Sequence, residues 1–563
     1  MLVGKNASGG IALGRALVLS PQEPTIEEGR ALDVDREVRR YRTALEKSKA
    51  EISRLHGSVL EKLGADKAQI FEAHLLMIED PELTDAIENS IRGEHLLATK
   101  AVKTAGDQFV SLFQAMDDEY LRERALDVQD VTQRVLRNLQ GIESVDLTAL
   151  TEETVLVAHD ITPSQMATLS PKVTGIVTEI GGKTSHTAIM ARTLDLPAVV
   201  GVKNAAGTIR TGDVVVVDGD HGKIFLNPSD ADLRAHEKQR EDLALQKKSL
   251  RALVGLPSVT RDHRTVHLEA NIASPLDLQS VLHNDADGIG LFRTEFIYMD
   301  RTAAPSEEEQ FQIYRSVVEK LGSKPTVIRT LDVGGDKHLP YLNIPHEENP
   351  FLGLRAIRYC LKHPEVFKPQ LRALLRASVF GDLWVMFPMI SGVDEVLAAK
   401  AVLEECRREL TAEGKPFRAD LRIGIMIEIP SAALLADVLA AHVDFFSIGT
   451  NDLIQYVCAV DRMNEAIHDL YDPFHPAVLR LIRNVIAAGE RAGITVAMCG
   501  EMASNSKLTG VLLGFGLTHF SMAPASILKI RKKIREASFS EAKVAAERVL
   551  ALGTGREIEK SLS

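Results

Sequence analysis

The chain has 563 residues, of which 45% are hydrophobic and 26% are charged, and its formal net charge is −12. One hydrophobic core stops growing near about 250–300 residues, so this length predicts two or three domains. The acidic balance argues against non-specific nucleic-acid binding, which needs a basic surface to displace counterions. No run reaches the roughly 20 apolar residues of a membrane span, and the opening residues lack a signal-peptide pattern. The four scattered cysteines form no CxxC pair, so we expect a reducing, cytoplasmic location.

The first part of the chain predicts a strand followed by helices. Gly10–Leu19 has the composition of a strand, and apolar residues then recur at steps of three and four from about residue 27 to 65. Shorter helical patterns cover Ile70–Ile78 and Pro81–Ile91, and one long helix is predicted over Ala98–Leu139. Because isolated helices are marginally stable in water, we expect these to pack into a bundle. Its use is either purely structural or as a docking surface for a partner.

After Gly141 the pattern changes to short strands separated by glycine and proline turns. The predicted strands are Thr154–Ala158, Gly175–Thr178, Ala198–Val200 and Val214–Asp218. They indicate a compact α/β domain, and the opening strand is expected to pair with its sheet, so that the helical bundle is an insertion. Residues 229–250 are dense in charge and lack glycine and proline, which is typical of a solvated helical linker.

From about residue 262 onward, strands and helices alternate regularly. The eight predicted strands are Val266–Ile272, Gly288–Phe296, Thr326–Val333, Leu383–Ile390, Ile423–Ile429, Phe445–Asp452, Thr495–Glu501 and His519–Met522. The amphipathic segments between them include Glu307–Leu321, Pro364–Arg376, Val393–Leu410 and Pro476–Ala492. Eight repeats favour a closed parallel (β/α)₈ barrel over a doubly wound open sheet.

Polar residues follow or end most of these predicted strands. They are Asn271, Arg293, Glu295, Arg329, Asp332, Glu428, Asn451, Asp452, Cys499 and Glu501, and Arg462 comes shortly after the sixth strand. Any one of them is easily explained as a capping residue. Because the carboxyl ends of barrel strands form one face, so many polar residues together indicate an active site there.

The residue types in this set indicate an anionic substrate and a divalent cation. Several arginines in one mouth suit phosphate or carboxylate, which the planar guanidinium binds in a bidentate manner. Glu428 and Asp452 would repel that anion unless a cation lay between them, so they are candidate Mg²⁺ ligands. The glycine-rich turn from Asp332 to Lys337 can approach such a ligand closely. The predicted occupant is a small phosphorylated carboxylic acid with Mg²⁺.

Two further residues are candidates for chemistry. Cys499, in Ala-Met-Cys-Gly-Glu, stands at a predicted strand end, where an acid–base role is credible; the other three cysteines are interpreted as small core residues. In the α/β domain, Gly181-Gly182-Lys183-Thr184-Ser185-His186 precedes a helical run that includes Arg192. A helix N-terminus favours phosphate, and neutral imidazole can attack phosphorus. Taken alone, this histidine is equally well explained as a capping or core residue.

The segment GGKTSHTAIMAR, residues 181–192, resembles the phosphohistidine signature of the enzymes that use phosphoenolpyruvate. Residues 444–456 are similar to the second signature of that family, and residues 293–301, 347–358, 427–433 and 498–503 also match. The resemblance runs nearly end to end and is greatest to the branch that begins sugar uptake in the bacterial phosphotransferase system. Pyruvate phosphate dikinase and phosphoenolpyruvate synthase carry an additional nucleotide-binding domain and usually have cysteine at the position of Ser185.

The resemblance implies two centres. His186 would take the phosphoryl group of phosphoenolpyruvate and pass it to the histidine of the carrier protein HPr. The phosphate would be held by Arg293, Arg329, Arg462 and Asn451, with Arg355 in the same site. Glu428 and Asp452 would carry Mg²⁺, and Cys499 would protonate the enolate to give pyruvate. The resemblance further implies a homodimer formed through the barrel.

With these roles, the predicted domains have the following bounds. Residues 1–20 and 142–228 form the phosphohistidine α/β domain, 21–141 the HPr-binding helical subdomain, 229–257 the linker, 258–540 the barrel and 541–563 a helical tail. The linker is expected to act as a hinge, because a site that faces two partners in turn needs weak contact between its domains.

The sequence departs from the family pattern at three positions. Met166 replaces a threonine expected near the active histidine, Glu179 replaces the usual aspartate, and Gly9 replaces a frequent proline. The loss of the threonine leaves open what orients the ring of His186, and the first two departures could tune the rate of transfer or the carrier preference. The alternatives are a paralogue that feeds a nitrogen-regulatory chain, which usually has an added N-terminal sensory domain, and a non-catalytic relative.

Overall fold

The computed structural model describes residues 1–19, 24–63, 65–114, 119–142, 147–148, 150–182, 185–299, 301–335, 339, 341–342 and 344–562. The side chains of residues 62–63, 65–67, 69, 114, 119–124, 126, 163, 167, 186, 193 and 465 lie outside that description. The chain forms two units, residues 1–247 and 248–563.

The first unit contains a bundle of helices. Their bounds are α1 Val34–Leu63, α2 Ala65–Ile78, α3 Pro81–Gly93, α4 Ala98–Gln114 and α5 Glu119–Leu139. The apolar stripe predicted for the first helix is buried, with Tyr41 and Ile52 fully enclosed. Glu37 on α1 accepts a hydrogen bond from the first amide of α4, Ala98 N, at 2.9 Å. That contact satisfies one of the amides that a helix start leaves without an intrahelical partner.

The prediction of one long helix over Ala98–Leu139 is wrong, because α4 and α5 are separate helices packed on each other. They pack closely at Gly106, where an added Cβ would lie 3.0 Å from Thr132 Cγ2. A continuous helix cannot pack against itself in this way. Residues 115–118 contain neither glycine nor proline, so the sequence has no breaker that would have indicated the break.

The rest of the first unit is an eight-stranded sheet with three short helices. The strands are β1 Leu2–Val3, β2 Lys5–Ser8, β3 Ile11–Leu19, β4 Thr154–Ala158, β5 Val173–Thr178, β6 Ala198–Val200, β7 Val214–Asp218 and β8 Lys223–Leu226. The helices are α6 Pro163–Ala167, α7 His186–Thr193 and α8 Ala205–Thr208. The strand order is β1-β8-β7-β3-β4-β5-β6-β2. As predicted, β3 pairs with later strands, in parallel with β4 and antiparallel with β7, so the bundle is an insertion in this sheet.

The charged segment predicted as a linker forms one helix, α9, over Asp230–Arg251. None of its described side chains is buried. In sequence the helix spans the boundary between the two units, and its high charge density suits a solvated surface. It contacts β8 through His236, whose ring centroid is 4.9 Å from that of Phe225.

The second unit is built on a closed barrel of eight parallel strands. They are β9 His267–Ile272, β10 Ile289–Phe292, β11 Thr326–Arg329, β12 Leu383–Phe387, β13 Arg422–Ile427, β14 Phe445–Ile448, β15 Thr495–Met498 and β16 His519–Met522. Six of the predicted strands extend too far at their carboxyl ends, because the residues there leave the ladder and enter loops.

Helices surround this barrel and follow it to the end of the chain. They are α10 Leu278–His283, α11 Glu307–Leu321, α12 Ile357–Lys362, α13 Pro364–Ala377, α14 Val393–Ala412, α15 Pro430–Leu434, α16 Ala436–Leu439, α17 Thr450–Cys458, α18 Pro476–Ala492, α19 Thr509–Gly514, α20 Ile527–Glu536, α21 Phe539–Leu550 and α22 Gly555–Ser561. Ala546 on α21 and Ile558 on α22 are buried in the main apolar cluster of this unit. The terminal helices are therefore part of its core.

The predicted fold class, an α/β domain with an inserted bundle followed by a (β/α)₈ barrel, is confirmed. The five domain boundaries proposed above stay predictions. Among the described helices, none is both long enough and apolar enough to cross a lipid bilayer.

Candidate active site

The carboxyl-end face of the barrel gathers the residues that the sequence singled out in the second unit. Arg329 is the last residue of β11, and Arg293, Glu428 and Cys499 follow β10, β13 and β15 within one residue. Asn451 and Asp452 lie in the first turn of α17, directly after β14. Because all eight strands are parallel, these positions share one face of the barrel.

The centre of this face is a buried network of arginines and carboxylates. Arg355 donates from Nε to Asp332 Oδ1 at 2.9 Å and from Nη1 to Asp452 Oδ1 at 3.2 Å. Arg329 Nη1 lies 3.1 Å from Asp332 Oδ2, and its other terminal nitrogen donates to Glu295. All five side chains are buried. The predicted phosphate ligands Arg329 and Arg355 are thus already paired with acids of the protein.

A glycine-rich turn brings Arg355 into this network. Gly334 has φ +103°, and a Cβ added there would lie 3.0 Å from Leu354 O and 3.1 Å from Arg355 Cα. The Ala356 amide donates to Val333 O at 2.9 Å, which ties the two segments together. Only glycine combines that backbone angle with so close an approach. The rest of the predicted turn, Asp336 and Lys337, lies outside the described residues.

Glu428 is a buried carboxylate with one oxygen left unpaired. Its Oε1 accepts from the Met389 amide at 2.6 Å, whereas Oε2 has no hydrogen-bond partner among the described residues. Burial, together with the charges of Asp452 and Asp332, raises the pKa of Glu428 to about 8. An unpaired buried carboxylate oxygen is costly unless a cation or a proton meets it. Glu428 and Asp452 therefore fit a hard divalent cation such as Mg²⁺.

Two predicted substrate-binding arginines differ from the buried pair. The guanidinium groups of Arg293 and Arg462 make no hydrogen bond or ion pair with the described residues, and Arg293 is exposed. The backbone amide of Arg462 donates to Gln455 Oε1 at 3.1 Å, which fixes the position of its main chain. These two cations remain available for an anion from solution.

Asn451 is held at the same face by its neighbours. Its Oδ1 accepts from the Glu501 amide at 2.9 Å, and its carbonyl oxygen accepts from Tyr471 Oη at 3.2 Å. The side chain is half-buried. These contacts orient the amide group without enclosing it.

Cys499 lies at the top of the barrel interior. Its Sγ is 3.8 Å from Ile448 O, and its apolar neighbours in that interior include Met426 and Phe445. Asn271 Nδ2 donates to the Cys499 carbonyl at 2.9 Å and holds the strand end in place. Burial raises the pKa of the thiol to about 11. Cys499 is therefore a protonated thiol near neutral pH, as a proton donor must be.

The second predicted centre is the start of α7 in the first unit. His186 is the first residue of that helix; its ring, and residues 183 and 184, lie outside the description. Ser185 caps the helix, since its Oγ accepts from Ala188 N at 3.3 Å. Thr187 Oγ1 donates to Asp160 Oδ1 at 3.2 Å. Arg192, expected to reach towards a phosphoryl oxygen, donates to Ala7 O at 2.9 Å.

The departures noted in the sequence have clear surroundings. Met166 is buried in the apolar cluster that includes Ala188 and Ala191 of α7, so it packs under that helix. Glu179 Oε2 is 2.8 Å from His159 Nδ1, and its Oε1 accepts from the Ala206 amide at 2.9 Å. The bond to His159 is the main cause of the lowered pKa of Glu179.

Sequence reasoning missed three members of the barrel site. Asp332 and Glu295 were noted as strand-end residues without a role, and they prove to be the partners of the buried arginines. Tyr456, which accepts from Arg355 and donates to Phe351 O at 2.5 Å, was not considered. The sequence offered one signal for these pairs: the predicted strand ends carry more acidic residues than arginines.

Comparisons with known proteins agree along the chain. Family models match residues 3–124 (PEP-utilising enzyme, N-terminal), 150–222 (PEP-utilising enzyme, mobile domain) and 247–539 (PEP-utilising enzyme, PEP-binding domain). A protein of Staphylococcus carnosus, named phosphoenolpyruvate-protein phosphotransferase, is 48% identical over 98% of this chain and 96% of its own length. One of the same name from Bacillus subtilis is 47% identical over 99% and 98%. A solution structure titled Enzyme I is 41% identical and covers 43% of this chain and 100% of its own, with a TM-score of 0.41.

Proposed function

The chain belongs to the family of phosphoenolpyruvate-utilising enzymes, and from this we propose how its residues carry out the reaction. It is an enzyme that transfers the phosphoryl group of phosphoenolpyruvate to protein. We assign the acceptor as His186 at the start of α7, and phosphoenolpyruvate to the carboxyl-end face of the barrel.

One observation carries the assignment of the barrel face. Glu428, with its unpaired buried oxygen, lies on the same face as two arginines whose guanidinium groups have no partner among the described residues. A site that combines uncompensated cations with a carboxylate pair suits a multiply charged anion that arrives with a metal. Phosphoenolpyruvate has the phosphate and the carboxylate that Arg293 and Arg462 would bind.

The buried arginines have a supporting role in this proposal. Arg355 is enclosed by Asp332 and Asp452, so it orients Asp452 and balances its charge. Arg329 lies closer to the barrel axis, 3.8 Å from Met426 Sδ, with Glu295 and Asp332 as its partners. A substrate phosphate would compete with those carboxylates for Arg329. Asn451, already oriented by the Glu501 amide, would donate to the phosphate from Nδ2.

Glu428 and Asp452 would hold Mg²⁺, which would neutralise charge on the phosphoryl and enol oxygens. In the transfer, the P–O bond to the enol breaks and a bond forms between phosphorus and a ring nitrogen of His186. The enolate then takes a proton at its methylene carbon from Cys499 Sγ, giving pyruvate. The thiolate left behind regains its proton from water. Burial favours the neutral thiol, so Cys499 returns to the protonated form before the next cycle.

The carrier partner, the oligomeric state and the cellular compartment are also proposals. The bundle would dock HPr, supported by exposed apolar side chains such as Leu76 and Leu112. The barrel would form a homodimer, supported by the exposed Leu434 and Val438. The four unpaired cysteines support a reducing, cytoplasmic compartment.

A labelling experiment tests the central step. Phosphoenolpyruvate carrying radioactive phosphate is given with Mg²⁺ to the wild type and to His186→Ala, with labelled ATP in parallel. We expect acid-labile label from phosphoenolpyruvate only, and none on the variant. No label on the wild type, with phosphoenolpyruvate still bound, would contradict the proposal and favour a regulatory protein.

A further inference from the structure

A second histidine stands beside the segment that leads to His186. His159 follows β4 directly and Glu179 follows β5 directly; these strands are parallel neighbours whose last residues, Ala158 and Thr178, are paired. His159 Nδ1 and Glu179 Oε2 are 2.8 Å apart. The pair therefore lies at the carboxyl end of the two strands.

Hydrogen bonds tie His159 to both sides of the active segment. On one side, the Ile180 amide donates to the His159 carbonyl at 3.2 Å, just before the glycine pair that leads to α7. On the other side, the next residue, Asp160, accepts from Thr187 Oγ1 at 3.2 Å, and Thr187 directly follows His186. The His159 carbonyl and the side chain of the next residue, Asp160, thus contact the segments before and after His186.

The side chain of His159 is accessible to solvent and to a ligand. It is 52% exposed, so it is not there to fill the core, whereas Glu179 is 19% exposed. The second oxygen of Glu179 is occupied by the Ala206 amide, which fixes the carboxylate. With Nδ1 directed at that carboxylate, Nε2 is the ring nitrogen left for a ligand.

We propose that His159, in its imidazolium form and oriented by Glu179, binds the phosphoryl group while His186 carries it. A phosphoryl group on histidine is an anion with strong acceptor oxygens, and Nε2–H of an imidazolium donates a charge-assisted hydrogen bond to such an oxygen. The inference rests on the proposed function and adds a phosphoryl-binding residue to it.

The chain contains a matched control. His221 Nδ1 lies 2.8 Å from Asp218 Oδ2, and the His221 side chain is 64% exposed, so the two pairs have the same geometry. Asp218 pairs with Ile11, at the opposite end of the sheet from Ala158, because β7 runs antiparallel to β3. Replacing His221 removes an equivalent ion pair far from α7.

The test measures the equilibrium between phosphoenolpyruvate and the phosphorylated enzyme. Full-length wild type, His159→Gln, His159→Lys and His221→Gln are equilibrated with labelled phosphoenolpyruvate, pyruvate and Mg²⁺, and the acid-labile label is counted. We expect the phosphorylation constant of His159→Gln to be about tenfold below wild type, the size of one charge-assisted hydrogen bond.

The other variants complete the test. His159→Lys keeps a cationic donor at this position, so its constant should exceed that of His159→Gln. His221→Gln should match the wild type. A His159→Gln constant equal to that of the wild type, a His159→Lys constant no higher than that of His159→Gln, or an equal loss in His221→Gln overturns the inference. An unlabelled wild type would overturn the proposed function instead.

Discussion

At the mouth of the barrel, four arginines of the same predicted class have two different environments. Arg329 and Arg355 are enclosed by carboxylates, whereas the guanidinium groups of Arg293 and Arg462 have no partner among the described residues. A buried guanidinium pays a large desolvation cost, which only paired acids repay. The division therefore follows burial, and in our proposal it separates residues that shape the site from residues that bind substrate.

Replacing Cys499 by alanine should slow pyruvate release by about a hundredfold or more, because a positioned general acid is lost. The dissociation constant of phosphoenolpyruvate should remain near that of the wild type. Isothermal titration and a coupled pyruvate assay separate the two quantities. A variant with the rate of the wild type would exclude Cys499 as the proton donor.

The same thiol makes a prediction about pH. Burial raises its pKa to about 11 from an ordinary value of 9.0, so the folded protein holds this proton more tightly than the unfolded chain. Cys499 therefore favours folding below about pH 9, and that contribution is lost as the pH rises towards 11. We expect the unfolding free energy of the wild type to fall relative to Cys499→Ala over that window, measured in urea. A constant difference would contradict the assignment.

Removing Arg355 should destabilise the barrel strongly. Arg355→Ala leaves Asp452 buried without this counter-charge and leaves Asp332 with Arg329 alone, and breaking a buried pair typically costs about 3–5 kcal/mol. As a control, Arg261→Ala removes an exposed partner of Glu541, where the loss should stay below about 1 kcal/mol. Urea unfolding of both variants measures the difference, and equal losses would show that the buried network is not what holds this face.

At the scale of the elements, the strand ends explain the site. Four barrel strands end at or directly before a candidate site residue: β11 ends at Arg329, and β10, β13 and β15 end before Arg293, Glu428 and Cys499. The face that we propose as catalytic is thus made of residues at the strand ends. Terminal helices stabilise the same unit from outside, since α21 packs on α19.

The contact between α19 and α21 requires a glycine. A Cβ at Gly514 would lie 2.2 Å from Ala542 O, so Gly514→Ala should push the helices apart and cost about 1–3 kcal/mol. Gly510, in the same helix, has no atom within 4 Å of such a Cβ, and Gly510→Ala should stabilise by about 0.5–1 kcal/mol. Thermal unfolding of the pair measures both effects, and changes of the same sign would contradict this packing argument.

At the scale of the whole molecule, the chain has two units with separate cores, joined through a helix without buried side chains. Units of this kind unfold in separate steps when little couples them. The barrel face and His186 belong to different units, so the reaction that we propose would need groups from both.

This organisation predicts two unfolding transitions in calorimetry, and ligand binding should shift the midpoint temperature of only one. In His186→Ala, which cannot be phosphorylated at that position, phosphoenolpyruvate with Mg²⁺ should raise only the midpoint of the barrel unit. That transition is identified as the one whose midpoint Gly514→Ala lowers. At about 100 times the dissociation constant the stabilisation is about 2.7 kcal/mol. Glu428→Gln serves as the control and should abolish the shift. A shift of both transitions, or of the other one, would place the ligand elsewhere.

The periodic elements and the types of residue at the candidate site could be predicted from the sequence. Apolar repeats marked α1, α11 and α18 and all eight barrel strands, because burial of one face imposes the period of the helix or strand. The arginines, carboxylates and Cys499 could be grouped into one candidate site because parallel strands bring their carboxyl ends to one face. These are local patterns, which a sequence contains directly.

Which of those residues are buried, and which side chains pair with them, could be learned only from the folded structure. The pairing of Arg355 with Asp332 and Asp452 spans 23 and 97 positions of sequence, and the break between α4 and α5 has no local signal. Charge compensation and close packing depend on which distant segments meet, and on how much water they exclude. Those quantities exist only once the chain is folded.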